Sequence, residues 1–271
     1  MVEESAGRAP LFDVRGLRIV YRRPGAKPLE AVRGVDFTLA EGETLGIVGE
    51  SGSGKSTVAK ALMLLQPIAD GEALFCGKDI TRLDAAERRA YRRDVQMVFQ
   101  DAAGSLNPRM TIRQTLEEVL KFTSGGVRGR QRPEDLLGIV GLSEAVLDQY
   151  PRELSGGQCQ RVSFARALAA GPRVLVADEP VSALDVSVQA RILNLLRDLR
   201  RSLNLAVILI AHDLAVVRNV CDRVCVMHHG VFEDAGPAED VFAHPTSDYT
   251  RRLLDAVPDV SRALRARRRE P

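Results

Sequence analysis

Eight consecutive residues, Gly49-Glu50-Ser51-Gly52-Ser53-Gly54-Lys55-Ser56, constrain this chain more than any other stretch. They stand between a short apolar run, Thr44 to Val48, and a segment from Thr57 to Leu65 that reads as a helix. Glycines at every second or third position let backbone N–H groups turn inward around one anion. The helix that follows points its positive dipole end at the same place. Lys55 adds a cation for the outer phosphates of a nucleotide, Ser56 a hydroxyl for Mg²⁺. Strand, phosphate-cradling loop and helix in this order predict a sheet whose ligand crevice lies at the strand ends.

The rest of the chain supplies that sheet. Val174 to Ala177 reads as a buried strand ending in Asp178 and Glu179. Taken alone, two acids after a strand describe a solvated strand end. Beside a phosphate loop, Asp178 is placed to hold Mg²⁺ and Glu179 to take a proton from an attacking water. A long amphipathic helix over Val186 to Leu203, a strand over Ala206 to Ala211, a helix over Asp213 to Val220 and a strand over Arg223 to His228 continue the alternation expected of a mostly parallel sheet. Before the loop, Leu11 to Tyr21 and Ala31 to Leu39 read as strands, punctuated by Pro24-Gly25 and Glu41-Gly42. The middle differs in character. Helical patterns over Thr111 to Phe122, Pro133 to Val140 and Glu144 to Tyr150 predict an inserted helical lobe, and Gly125-Gly126 with Arg128 to Arg132 its flexible loop.

Composition narrows the function classes. Apolar residues at 45% and charged residues at 27% fit a globular chain. Aromatics make up 4% and Trp is absent, which excludes a stacking platform for single-stranded nucleic acid, and a net charge of +2 calls for no polyanion. Arg262, Arg265 and Arg267 to Arg269 form a basic tail, read first as a solvated terminus and second as a weak attractor of anionic lipid. Met1-Val2-Glu3-Glu4 opens no secretory signal, and Leu205 to Ala211, the longest clean apolar run, falls short of the ~20 residues a spanning helix needs. A soluble chain that meets the membrane through partners is expected. Cys76, Cys159, Cys221 and Cys225 form no paired framework and are expected as free thiols; Cys221 and Cys225 read as ordinary buried cysteines rather than a metal pair.

A third motif decides the family. Leu154-Ser155-Gly156-Gly157-Gln158 precedes a helix expected to start near Cys159. Ser155 is a helix-cap residue and the glycines expose backbone N–H groups, which makes a second anion site. The stretch resembles the signature motif of the ABC ATPases, although Cys159 stands where that family often has a basic or other polar residue. Val98-Phe99-Gln100-Asp101 resembles its Q-loop, Ser182-Ala183-Leu184-Asp185 its D-loop and Ala211-His212-Asp213 its switch-histidine loop. Tyr21 is similar to its adenine-stacking aromatic. The resemblance implies an α/β P-loop NTPase core with a mostly parallel sheet, an N-terminal antiparallel β subdomain and an inserted α-helical subdomain. It implies one domain over 1–271: core about 1–100 and 169–245, helical subdomain about 101–168, C-terminal extension about 246–271.

It also implies an ATPase using ATP and Mg²⁺. Glu179 would act as base, with Lys55, Gln100 and His212 assisting, and Ser56, Gln100 and Asp178 would serve the metal. Tyr21, Gly49 to Thr57, Ser155, Gly156, Gly157, Gln158 and Asp185 would contact nucleotide, the signature residues doing so across a dimer. Two further stretches, Gln100 to Thr111 and His244 to Leu254, resemble the oligopeptide/dipeptide/nickel importer ATPases. That resemblance implies uptake of peptides or related small solutes, nickel complexes among them, from the cytoplasmic face of the membrane. The implied partners are two integral-membrane permeases, a second ATPase subunit in a hetero- or homodimer, and indirectly an extracellular solute-binding protein. The absence of cysteine after Cys225 speaks against an iron–sulfur cluster. An exporter ATPase, a soluble ABC ATPase outside transport and a regulatory module that holds ATP without turnover are the competing readings. The last is opposed by Glu179 and His212 together.

Overall fold

Alternating burial along β1 (Phe12–Tyr21) and β2 (Leu29–Leu39) turns one face of an antiparallel pair toward the interior. The computed structural model describes residues 10–22, 24–25, 27–123, 132–182 and 184–256. β3 (Thr44–Val48), buried throughout, leads through the glycine-rich loop into α1 (Lys55–Leu62). β4 (Asp70–Phe75) and β5 (Lys78–Asp79) complete a sheet of order β2-β1-β4-β5. α2 (Ala85–Asp94) enters β6 (Val95–Val98). Then come α3 (Ile112–Thr123), α4 (Pro133–Ile139), short 3-10 turns at Glu144–Val146 and Pro151–Glu153, and α5 (Gly156–Leu168). β7 (Val174–Asp178), α6 (Val186–Leu203), β8 (Ala206–Ala211), α7 (Leu214–Val220) and β9 (Arg223–His228) alternate, and β10 (Val231–Pro237), α8 (Ala238–Ala243) and α9 (Asp248–Asp255) follow. The second sheet has the order β10-β9-β3-β8-β7-β6, parallel at every step except β9 to β10.

This sheet separates two cores. On β8, Val207 and Leu209 join Ile112, Leu136, Phe164 and Leu196 from the helices, whereas Ala206, Ile208 and Ile210 join Val58 and Leu62 of α1 and the first sheet. A strand buried on both faces must be apolar at consecutive positions. That is why Thr44–Val48 and Ala206–Ala211 stand out in the sequence at their observed bounds. Each Val, Leu or Ile side chain among them contributes ~1.5–3 kcal/mol by leaving water. Phe12, Phe75 and Tyr91 close the second core from below, with ring centroids 5.1 Å apart for Phe12–Phe75 and 5.2 Å for Phe75–Tyr91.

Several boundaries differ from expectation, each for a local reason. α1 starts at Lys55, inside the glycine-rich motif, and stops at Leu62 rather than Leu65. Leu64 is left-handed (φ 56), and its N–H and that of Leu65 bond back to the Ala61 and Lys60 carbonyls, a Schellman termination that a glycine would normally mark. The helix expected over Glu144 to Tyr150 is one 3-10 turn. Pro151 forces Tyr150 into extended backbone, and the Leu147 and Gln149 carbonyls accept instead from Arg113 and Ile112 at the head of α3. α5 starts at Gly156, three residues before Cys159, because Ser155 and Gln158 close a reciprocal capping box. Residues 70–98, which carried no element assignment, hold β4, β5, α2 and β6. The Asp84–Glu87 capping box is the sequence signal that marks α2.

The four cysteines are free. Burial pushes the Cys221 thiol up and that of Cys225 to about 12, so both behave as small apolar groups. Among the described residues no helix is long and apolar enough to cross a membrane. The basic tail, Ala183 and the Gly125–Gln131 part of the expected flexible loop lie outside the described residues.

Candidate nucleotide site

The loop between β3 and α1 holds Gly49, Gly52 and Gly54 at positive φ (150, 83 and 114). Gly54 is the N-cap of α1 and caps with no side chain, so the amide-rich head of the helix faces the loop's concavity. Lys55, 4% exposed, folds back over this loop: its Nζ donates to the Gly49 carbonyl at 2.8 Å and to the Glu50 carbonyl at 2.7 Å. Burial lowers its pKa, and the charges of Glu179, Asp178 and Glu50 oppose that shift. A buried ammonium held by two carbonyls and the Ser53 hydroxyl, with no carboxylate bonded to it, is a strong anion receptor, since a triphosphate brings negative charge into direct contact with it.

Parallel pairing of β3, β8 and β7 brings three loop ends to the same side. The Ser56 hydroxyl donates to Asp178 Oδ1 at 2.9 Å. Asp178 is 6% exposed, and burial raises its pKa while the Ser56 hydrogen bond lowers it. The hydroxyl and carboxylate are hard oxygen donors at one point, a set that fits Mg²⁺ completed by phosphate and water. Because the carboxyl titrates higher folded than unfolded, its effect on stability is favourable below the unfolded pKa and is lost as pH rises through the folded one. Asp178→Asn should therefore raise the melting temperature of the nucleotide-free chain at pH 7, by about 1 kcal/mol of stability. Thermal unfolding below pH ~3, where the carboxyl is protonated in both states, should show the difference closing. A variant no more stable at pH 7 would contradict the burial cost.

One residue beyond Asp178, Glu179 adopts φ 45 while its N–H bonds to the Ile210 carbonyl at 3.0 Å. A non-glycine residue held left-handed costs on the order of 1–3 kcal/mol. The turn brings its carboxylate between two partners: Oε2 lies 3.1 Å from Gln100 Nε2 and 3.3 Å from His212 Nδ1. Gln100 Nε2 also lies 3.3 Å from the Ser182 hydroxyl. Gln100 follows β6, His212 follows β8, and Glu179 follows β7, so the cluster gathers three adjacent strand ends. His212 is half exposed, beside a cleft lined by Glu179, Ser182, Asp213 and Val216.

The remaining assigned residues lie around this centre. Tyr21 OH stands 3.3 Å from Thr57 Oγ1 on α1. Ser155 caps α5, accepting from the Gln158 N–H at 3.3 Å while Gln158 Oε1 accepts from the Ser155 N–H at 2.9 Å. Gly156 and Gly157 pack toward Leu184 and Val188, which brings the signature loop against the start of α6. Asp185 caps α6 through its backbone carbonyl and makes no side-chain cap bond. Among the described residues no hydrogen bond joins Ser155, Gly156, Gly157 or Gln158 to the Gly49–Ser56 loop. Ser182 and Tyr249 lie in stretches the sequence singles out, but the sequence does not assign their contacts, Ser182 with Gln100 and Tyr249 with the Glu50 N–H.

The family model described as ABC transporter matches residues 32–182, which take in the loop, Gln100, the signature residues, Asp178 and Glu179. The chain belongs to the ABC transporter family. As an ABC ATPase it binds and hydrolyses ATP, and its fold is that of the family's cassette. It is 45% identical over 242 residues to the oligopeptide transport ATP-binding protein OppF of Lactococcus lactis subsp. lactis, covering 89% of this chain and 76% of that one. It is 44% identical over 263 residues to OppF of Escherichia coli K12 (93% and 79% covered). With the dipeptide transport ATP-binding protein DppF of Lactococcus lactis subsp. cremoris it shares 42% over 254 residues (92% and 81%). Among solved structures, the ATP-binding cassette MJ0796 in a dimeric, post-hydrolysis state bound to ADP and Pi superimposes with a TM-score of 0.73 at 31% identity, over 84% of this chain and 98% of that one. The cbiO1 subunit of the cbiONQ ABC transporter complex from Clostridium perfringens superimposes with 0.75 at 25% identity, over 95% and 100%.

Proposed function

We propose that this chain is the ATP-hydrolysing subunit of an ABC importer for peptides or related small solutes, peripheral to the cytoplasmic face of the membrane and bound there to two permease subunits. The observation that carries the catalytic half is the Gln100–Glu179–His212 cluster beside a phosphate loop. The cargo class rests on identities of 40–47% with oligopeptide and dipeptide transport ATP-binding proteins over some nine-tenths of this chain.

In this reading Gly49 to Thr57 cradle the phosphates, Tyr21 meets the adenine, and Ser56 and Asp178, with Gln100, hold Mg²⁺. Bound Mg²⁺ supplies neutralisation of phosphate charge. Glu179 accepts the proton of the attacking water; Gln100 and His212 orient that water and the terminal phosphate. Ser155, Gly156, Gly157, Gln158 and Asp185 serve the nucleotide of a second ATPase subunit, identical or different, so ATP joins two subunits and hydrolysis parts them. The core, helical lobe and C-terminal extension (about 1–100 with 169–245, 101–168 and 246–271) divide these tasks. A nickel complex as cargo and an extracellular binding protein belong to the same proposal.

His212→Ala should lower ATP turnover by roughly 10²-fold with ATP affinity kept, as loss of one preorganised group at the reacting phosphate does; full turnover would remove His212 from the site. For the transport half, Glu179→Gln protein should be isolated with ATP from membranes of its native host. Co-purification of two multi-span proteins, and loss of peptide uptake on deleting the gene, are the expected results. Recovery of soluble partners alone would sink the importer reading.

A further inference from the structure

The stretch His244 to Leu254 carries a family-like pattern that the hydrolysis chemistry leaves without a task. In the fold it is tied down at one end and reaches the phosphate loop at the other. Asp234 on β10, nearly buried, accepts from the Thr246 hydroxyl, from the Thr246 N–H at 3.2 Å and from the Ser247 N–H at 3.1 Å. Ser247 then caps α9. This fixes Tyr249, 6% exposed, with its ring stacked on His228 at 3.8 Å and 15°. Its phenol oxygen accepts the Glu50 N–H at 3.1 Å, a contact across 199 positions of sequence. The turn after β9 makes a second tie to the same loop, Gly230 N–H to the Ser53 carbonyl at 2.9 Å.

The peptide unit joining Gly49 to Glu50 is thus held at both ends. Its carbonyl accepts from Lys55 Nζ, and its N–H donates to Tyr249. These holds differ in permanence, because a lysine that turns to a triphosphate must loosen its grip on the carbonyl. We propose that Tyr249 is a positioning residue for ATP, holding the Gly49–Glu50 peptide in its phosphate-ready orientation when Lys55 turns to the nucleotide. This rests on the reading that the Gly49–Ser56 loop binds the triphosphate.

Removing the phenol oxygen leaves the Glu50 N–H without its acceptor and lets the peptide rotate. Apparent affinity then falls by the fraction of molecules whose loop remains competent, while the saturated enzyme keeps its chemistry. Tyr249→Phe retains the ring over His228 and should fold as the parent does. In the full-length chain we expect KM for ATP, and Kd for a fluorescent ATP analogue, to rise about five-fold, the worth of one hydrogen bond. We expect kcat and the melting temperature to stay as they were. An unchanged KM, or a fall in kcat together with melting temperature as a mere packing role would give, overturns the inference. Lys55→Ala measured alongside separates the two readings. If Lys55→Ala loses ATP binding and Tyr249→Phe does not weaken it, the positioning role alone fails. If Lys55→Ala binds ATP normally, the loop assignment fails and the positioning role with it.

Discussion

Glu179→Gln should slow ATP turnover by about 10²–10⁴-fold while leaving ATP affinity unchanged, the loss expected when a positioned base is made neutral. The substitution keeps length and planarity, so the left-handed turn at this position and the bond from its N–H to the Ile210 carbonyl have no reason to move. What disappears is the charge that Gln100 Nε2 and His212 Nδ1 face. Three groups converge there, so the loss of turnover should exceed that of His212→Ala. Single-turnover hydrolysis with purified protein, paired with equilibrium ATP binding, separates the effects. Turnover near that of the parent would mean that another group accepts the proton, and that Glu179 is a strained strand end only.

Gly49→Ala should abolish ATP binding and destabilise the fold by about 3 kcal/mol or more, the range for strain combined with overpacking. A β-carbon there would stand 2.0 Å from the Met227 carbonyl oxygen, with φ at 150. Met227 cannot retreat cheaply. It lies on β9, paired to β10 through Phe232, and β9 is paired to β3 through Val48 and Val226. Relief must come from the loop, which is the part that shapes the phosphate cradle. Gly52 is the control, since a β-carbon at that position meets nothing within 4 Å and only its φ of 83 is costly. Gly52→Ala should cost about 1 kcal/mol. Thermal unfolding and ATP titration of both variants test the contrast; equal losses would mean that backbone conformation, not the close approach to β9, sets the requirement.

The burial of Cys159 gives its departure from the family pattern a structural account. Its thiol is buried, lies 3.4 Å from the Pro151 carbonyl and is pushed up in pKa by burial. The residue therefore faces the helical core and not the exposed glycines of the signature loop, which makes a polar group there dispensable.

Much of this protein follows from local chemistry alone. Apolar runs buried on both sheet faces announced β3, β7 and β8, and the loop, the acidic pair after β7 and the Ser155 cap each carry their physical reason in a few neighbouring residues. The short first-sheet strands β4 and β5 and the last strand, β10, were not visible because they bury too few side chains to leave an apolar pattern: β5 has two residues, and β10 buries only Asp234. β4 pairs with β1 from far along the chain, whereas β10 turns straight back on β9, Val231 facing His228. The site divides the same way. Lys55, Ser56, Asp178 and Glu179 could be named from the glycine-rich loop and the strand end that carry them, and Gln100 and His212 from the resemblance to the ABC ATPases. That one carboxylate stands within hydrogen-bond reach of both Gln100 and His212 required the parallel register of β6, β7 and β8. Lys55 folding back over its own loop, and Tyr249 accepting the Glu50 N–H from 199 residues away, depend on a folded interior in which most buried donors find acceptors. Sequence determines which groups are present and what each can do within a turn or a strand. Tertiary structure decides which meet, because pairing across the sheet is set by long-range burial that no local pattern encodes.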